Sequence, residues 1–466
     1  MPHKYHINTR PTPARFSTPA RSGIVDWEEG CLRCAVCVKE QCVYGAFKSR
    51  GVFGADYADR LDQICRDCFR CVQGCPARLI HKTVNPNYES LGNDYWTPRI
   101  VWTTWYQAET GMIPVSGAGY GGPFTGPGFD GMWTDMSEIV RPTRDGIHGR
   151  EYISTSFYYG GTPRNLTYDA AGAVVGDLPR GREVPLPIVF DRPPMGDLGP
   201  NVRLAMAEAA RVLDTMMVAD SRHLNPLAED LRLERHPIIV TGSSENADRL
   251  IRMAGWLRKV ELADEPEVLE VVDRLRRANP DILFSVRVLL DERAAARTIE
   301  LCQAGLDAVH LQADLTGRGF GRRAGIHIRD LVREVHQALV EKSLRDRICL
   351  LAAGGIALAE HVAKVIACGA DAALVDLALM VALECRLCDD CNGARSCPVE
   401  IRWIDPEWGA QRIVNLMGAW RNQMLEVLGA MGLREARRLR GEVGRAMFFE
   451  DLEEENFAPI FGRRKQ

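Results

Sequence analysis

No run in the 466-residue chain is apolar for the roughly 20 residues a bilayer-spanning helix needs, so no membrane span is expected. The apolar core of a secretory signal is missing too: Met1–Gly23 is polar and Pro-rich, and is expected to be an arm, ordered or partner-bound. Positive charge is not in excess. The formal net charge is −4, which argues against a nucleic-acid partner. No G-x-G-x-x-G follows a strand-like run, so NAD(P)H is not expected on this polypeptide. Hydrophobic and charged contents of 46% and 26% are ordinary for a globular protein, and the length suits two or three domains.

Cysteine is abundant and unevenly placed. Of 15 cysteines, 12 fall into three tight runs: Cys31, Cys34, Cys37 and Cys42; Cys65, Cys68, Cys71 and Cys75, followed by Pro76; and Cys385, Cys388, Cys391 and Cys397, followed by Pro398. Thiolates at i, i+3 and i+6 wrap one side of a cubane, and a more distant cysteine closes the fourth corner. The second run resembles that of bacterial ferredoxins, in which the fourth cysteine ligates the other cluster. That crossover groups Cys31, Cys34, Cys37 and Cys75 around one cluster and Cys65, Cys68, Cys71 and Cys42 around the next. In the first run four residues separate Cys37 from Cys42 and no proline follows. Zinc is the alternative, but its sites usually pair two C-x2-C arms, which these triple steps fit poorly. Disulfides are disfavoured by chain length and the lack of a secretory signal, so a reducing cytoplasm is expected. Cys302, Cys349 and Cys368 lie in apolar surroundings and are expected to be small core residues.

Five regions follow from the pattern. Residues 1–23 are the arm. Residues 24–82 form a ferredoxin-like unit held together by two [4Fe–4S] clusters. Residues 83–182 are a connector packed on the next domain; Gly111–Gly131 alone holds eight Gly and three Pro, too many for one long helix or strand. From residue 183 to 384, short apolar runs at Leu186–Phe190, Thr215–Ala219, Pro237–Val240, Leu283–Val288, Ala308–Leu311, Ile348–Ala352 and Ala372–Val375 alternate with helical patterns. With a weaker strand near Val260, they predict a closed (β/α)8 barrel of the TIM type; a doubly wound open sheet is the alternative. Residues 385–466 hold the third cysteine run and C-terminal helices. Glu407–Leu433 has helical apolar spacing, and Arg434–Arg445 is expected to be a solvated or partner-facing helix.

In such a barrel the loops after the seventh and eighth strands commonly bind phosphate, and Gly354 and Gly355 stand in the first of these. A tight turn needing permissive dihedrals is the competing explanation. Met195 and Gly196 follow the first strand. Gly317 lies in the basic loop Thr316–Gly321 after the sixth. Arg287 ends the fifth strand at the catalytic mouth, where a cation can stabilise a reduced flavin; an ion pair with Asp291 or Asp314 is the competing role.

Several segments carry a family resemblance: Glu138–Tyr152, Ser285–Val288, Ala308–Leu311, Ala353–Ile356, and Val381–Cys385 leading to Cys397–Val399. From Val184 to Ile401 the chain resembles the synthase barrel of glutamate synthase, in particular the archaeal-type split subunit with an attached ferredoxin-like module. The resemblance implies FMN at the mouth and a three-iron cluster on Cys385, Cys391 and Cys397. Cys388 is an additional ligand candidate, so the third site is expected to hold [3Fe–4S] or [4Fe–4S]. There are departures. Cys391 and Cys397 are one residue further apart than in the family. Arg287 replaces a lysine, Asp314–Arg318 replaces a Gly-rich segment, and Thr241–Ala263 lacks the loops for 2-oxoglutarate. Asp376 stands where small residues would meet a phosphate, so it must point away or the phosphate must be absent.

The implied function is an iron–sulfur flavoprotein subunit passing electrons between ferredoxin-type clusters and FMN. The alternatives are a catalytic glutamate or N-alkylglutamate synthase core using 2-oxoglutarate and ammonia, and a flavin-free electron wire or scaffold. Expected partners are other redox subunits or ferredoxin, in a hetero-oligomer. A glutaminase would have to be separate, since the chain opens Met1-Pro2-His3 without the cysteine nucleophile. A separate flavin or NAD(P)H subunit is a further candidate.

Overall fold

The computed structural model describes residues 5–16, 18–19, 22–25, 31–32, 34–45, 68–116, 119–123, 126, 128–134, 152–161, 167–175, 181–224, 237–388, 391, 397–441 and 446–462. Cys65 and residues 138–151 of the first resemblance segment lie outside them.

Eight parallel strands close into a barrel in chain order. They are β1 (Ile188–Phe190), β2 (Met217–Asp220), β3 (Ile238–Gly242), β4 (Lys259–Ala263), β5 (Leu283–Leu289), β6 (Ala308–Gln312), β7 (Cys349–Ala353) and β8 (Ala372–Val375). The last strand returns to the first, with Val189 opposite Leu374. The strands are near-continuous apolar runs because helices cover the outside and side chains fill the inside. Open-sheet topology is thereby excluded. At the lower end, the antiparallel pair Phe157–Tyr159 and Arg182–Val184 packs Phe157, Tyr159 and Val184 against Leu283, Ala308, Cys349 and Ala372, the first residues of their strands. The plug leaves the C-terminal mouth as the barrel's open end.

The connector is more ordered than its composition predicts. It contains helix α1 (Pro98–Thr110), capped by the Thr97 side chain, started by Pro98 and ended by Gly111 at φ +68°. Ile100, Val101, Trp105 and Ala108 on this helix are buried. The long helix α9 (Pro406–Ala430) packs on α1 and on α2 (Pro200–Val212), burying Ile413, Leu416, Met417, Trp420, Met424 and Leu428. Gln107 ties the helices together, accepting from Trp420 Nε1 at 3.2 Å and donating to Gln423 at 2.8 Å.

The Arg-rich segment departs from expectation. It forms a short 3₁₀ turn over Ala436–Gly441 rather than a solvated helix. Ala436 and Leu439 are buried, and Arg440 pairs with Asp371 and Asp346. Residues 442–445 of the same segment lie outside the described residues. Cys302, Cys349 and Cys368 are buried, and burial raises all three thiols above their usual pKa.

Candidate functional site

Strand closure gathers a charged layer at the mouth. Arg287 on β5 stands opposite His310 on β6, Glu261 on β4 stands opposite Ser285 two residues before Arg287, and Asp191 follows β1. Arg287 donates from Nη2 and Nη1 to Asp191 at 2.6 and 3.0 Å, from Nε to Glu261 at 2.8 Å, and from Nη1 to Gln312 at 2.9 Å. His310 Nδ1 lies 2.8 Å from Glu261 Oε2. Burial pushes the Glu261 and Asp191 carboxyls up, but Arg287 and then His310 outweigh it and hold both below the usual range. The partners of Arg287 are therefore not Asp291 or Asp314. Those carboxylates are committed to their own loops, accepting from Arg293 N and from Thr316 N and Arg318 N. Sequence reading missed Asp191, Glu261 and His310. Their signal was charge inside otherwise apolar strands.

Above this layer is a cavity of about 370 Å³. Pro193, Pro194, Met217, Val218, Ala219 and Leu315 supply apolar wall, and Arg287, Gln312 and Asp376 supply polar atoms. Gly196 is on its rim at φ +88°. A second cavity of about 500 Å³ shares Arg192, Asp220, Arg222 and Arg287 with the first, so the two form one cleft across the mouth.

Gly317, Gly354 and Gly355 do come together, but beside that cleft rather than among its walls. A Cβ on Gly355 would lie 2.6 Å from Gly317 N and 2.7 Å from the Tyr95 hydroxyl, which donates to Gly355 O. A Cβ on Gly354 would lie 2.5 Å from Asp314 O. Both have positive φ, +104° and +68°, so glycine is required there by conformation and by packing. Trp96 completes the contact, its Nε1 donating to Leu315 O at 3.1 Å.

Asp376 does not point away from the mouth. It lines the cavity and accepts from Leu377 N at 2.5 Å, capping the six-residue helix α8 (Leu377–Ala382). Burial, then the nearby Asp191 charge, raises its pKa to about 7. The unfolded chain ionises near pH 4 and the folded one only near 7. Stability is therefore expected to fall by about 1.4 kcal/mol per pH unit across that window and to level off above it. Asp376→Asn keeps the acceptor and removes the charge. It should abolish this slope and gain most over the parent above pH 7, as measured by denaturant unfolding between pH 4 and 8.

The third cysteine run borders the same mouth. Cys385, Cys388, Cys391 and Cys397 all line a cavity of about 130 Å³, whose other walls include Trp96, Met195, Leu377 and Val399. Pro194 and Leu315 belong to both this cavity and the mouth cavity, so a single layer of side chains separates them. Cys385 is buried, which raises its thiol to about 12, and Leu387 N approaches its sulfur at 3.5 Å.

In the N-terminal unit, Cys31, Cys34, Cys37 and Cys75 line a small cavity of about 30 Å³, the same four that crossover ligation groups. Cys71 packs with Ile80, and Cys37, Cys42 and Cys75 lie against that pair. Cys68 is exposed. Among the described residues no three Cys, His, Asp or Glu side chains converge on the position of a single metal ion.

A closed parallel barrel with a thiol-lined cavity at its mouth defines the class. Residues 256–434 match the family model described as the conserved region in glutamate synthase. The archaeal-type glutamate synthase (NADPH) of Dehalococcoides mccartyi is 26% identical over 479 residues, 89% of this chain and 92% of that protein. The archaeal glutamate synthase (NADPH) of Methanocaldococcus jannaschii is also 26% identical, covering 88% of this chain and 92% of its own length. Among solved structures, a mandelate oxidase mutant aligns over 66% of this chain and 91% of its own at 16% identity and a TM-score of 0.41. A flavocytochrome b2 mutant aligns over 72% and 87% at 10% identity and a TM-score of 0.43.

Proposed function

We propose that the chain is a glutamate-synthase-like oxidoreductase subunit that carries electrons between cysteine-held iron–sulfur clusters and FMN at the barrel mouth. One observation carries this reading: the four thiols of the third run line a cavity that shares Pro194 and Leu315 with the mouth cavity. Short edge-to-edge separation is what electron transfer requires.

The thiols fit a cluster. A cubane bonds four thiolates to four different irons, so its ligands stand around a volume and not at a point. Cys31, Cys34, Cys37 and Cys75 do so in one cavity, and Cys385, Cys388, Cys391 and Cys397 in another. Cys42, Cys65, Cys68 and Cys71 are the set proposed for the remaining [4Fe–4S] cluster.

The mouth fits a flavin ring in part. Apolar walls with a few directed polar groups suit a planar heteroaromatic. When bound, FMN would couple one-electron to two-electron chemistry. Gln312 and Arg287 would hold the polar edge, and Pro193, Met217 and Leu315 would exclude water from its faces. The fit is poorer at the phosphate. Gly354 and Gly355 are packed against Tyr95 and Gly317, and Asp376 lines the cavity. Those contacts favour a second reading, a flavin-free electron wire. Redox subunits, ferredoxin and a separate glutaminase are the proposed partners.

Anaerobic purification tests the reading. Three four-iron clusters give about twelve irons per chain with matching sulfide, and acid-released yellow chromophore distinguishes the flavin form from the wire. Cys388→Ser should remove about one iron per chain. It should also convert the third site to a three-iron centre, paramagnetic when oxidised. An unchanged iron count and spectrum in that variant would exclude Cys388 as a ligand, and zinc in place of iron would end the proposal.

A further inference from the structure

The arm at residues 5–16 lies along α9 and ends at the third cysteine run. Its seating is specific. Arg10 N donates to Asn415 Oδ1 at 3.1 Å, and Asn415 Nδ2 returns to Arg10 O at 2.7 Å. Trp408 Nε1 donates to Pro13 O at 3.0 Å.

At the end of this track, Arg15 grips both ends of the cysteine loop. Its backbone N and its Nε donate to the two carboxylate oxygens of Glu384, at 2.6 and 3.0 Å. Its Nη2 donates to Val399 O at 2.8 Å. Glu384 immediately precedes Cys385, and Val399 follows Cys397 by two residues. One guanidinium therefore joins the entry of the loop to its exit. The Trp408 ring, 4.7 Å from the guanidinium carbon, holds the group in place. Glu384 is 5% exposed and sits at φ +74°, a conformation an L-residue adopts only when its surroundings hold it. Without the guanidinium, the buried carboxylate would lose its direct partner and keep only the attraction of Arg412, one residue from a proposed ligand thiolate.

We propose that Arg15 is a positioning residue for the cluster held by Cys385, Cys388, Cys391 and Cys397: it closes the neck of their loop and offsets the Glu384 charge beside it. The proposal rests on the reading that this cavity holds an iron–sulfur cluster. Arginine suits the task because its planar fork reaches a carboxylate and a carbonyl at once, which a lysine ammonium cannot reproduce.

The test uses the anaerobically purified full chain. Readouts are the rate of iron loss to a chelator and the midpoint potential of the third-site paramagnetic signal. The N-terminal signals of the same molecule serve as reference. Arg15→Met should weaken retention of third-site iron by roughly 10–100-fold, the usual effect of removing a group that orients metal ligands. It should also lower the midpoint, because a positive charge beside the cluster favours the reduced form. Arg15→Lys keeps the charge and loses the bridge, so iron loss should accelerate with the midpoint nearly unchanged. Arg10→Ala removes only the exposed pair with Glu407 and should match the parent on both counts. Arg15→Met behaving as the parent would overturn the proposal. So would Arg10→Ala reproducing its effect, which would assign the role to arm docking at large. If Cys391→Ser left the iron count unchanged, the cluster reading itself would fail, and the role of Arg15 with it.

Discussion

Replacing Cys75 by Ser is expected to remove the cluster of the first cysteine run, although Cys75 belongs by sequence to the second. About four of roughly twelve irons should go, together with their sulfide. Two features single Cys75 out. It lines the cavity formed by Cys31, Cys34 and Cys37. Burial acts to raise its thiol pKa, but the backbone N–H groups of Leu79, Ala77, Ile80 and Arg78 outweigh burial and lower it, with Leu79 N 3.4 Å from the sulfur. That array favours thiolate, the form that binds metal; a serine hydroxyl is not ionised by it. The consequence should extend to the fold. In this part of the chain the described buried apolar residues are Cys71 and Ile80, a core far too small to order a unit by itself. The strand pair Ser22–Val25 with His81–Val84 ties its ends. On the proposed reading, metal binding would supply the stability. Limited proteolysis should therefore cut Cys75→Ser within the cysteine unit and leave the barrel intact, with its thermal transition unmoved. Loss of the second-run signal with the first retained would show that the runs do not exchange their fourth ligands.

The barrel was legible because its signal is local and repeated. Eight apolar runs alternating with helical patterns need a parallel sheet, and all eight became strands. Even the weak run near Val260 became Lys259–Ala263. The short helix α3 (Ala247–Met253) escaped notice because seven residues carry too little periodicity to register. Helix α1 escaped for a different reason. Its start, Thr97-Pro98, and its end, Gly111, are good signals, but Gly111 also opens the glycine-rich stretch and was counted with it.

The charged layer was not readable in the same way. Arg287 was correctly placed at the mouth, but partners were sought nearby, at Asp291 and Asp314. The barrel brings Asp191 from 96 residues away instead. The Gly354–Gly355 turn shows the same limit. Its glycines are required, yet what fills the space beside them, Tyr95, comes from 260 residues earlier. Composition indicates that backbone approaches closely at such a turn. It does not indicate whether the approaching group is a ligand or the chain itself.

Arg287→Met is expected to destabilise the barrel by about 3–5 kcal/mol, because it strands Asp191 and Glu261 as buried carboxylates. For a domain of this size the loss corresponds to a fall in Tm on the order of 10 °C. The pH dependence separates this cause from lost packing. In the parent, both carboxyls are held below their unfolded values, so their contribution is fully present above about pH 4 and disappears as pH falls through the folded values. In the variant the attraction of Arg287 is gone and only His310 still opposes burial, so both pKa values rise from their parent positions. The variant therefore gains relative stability as the carboxyls protonate, and its deficit against the parent should shrink from pH 8 towards pH 4. Adding Glu261→Gln to the variant should recover part of the loss at pH 8 and little at pH 4. A deficit independent of pH would mean that the guanidinium acts as a spacer and not as a countercharge. The same balance bears on chemistry at the mouth. Arg287 already satisfies two carboxylates and Gln312, so an anion arriving in the cleft meets a cation whose charge is largely spent. Among the described residues, Arg192 and Arg222 on the wall shared by the two cavities can still attract it, and the neighbouring Asp220 only partly offsets them.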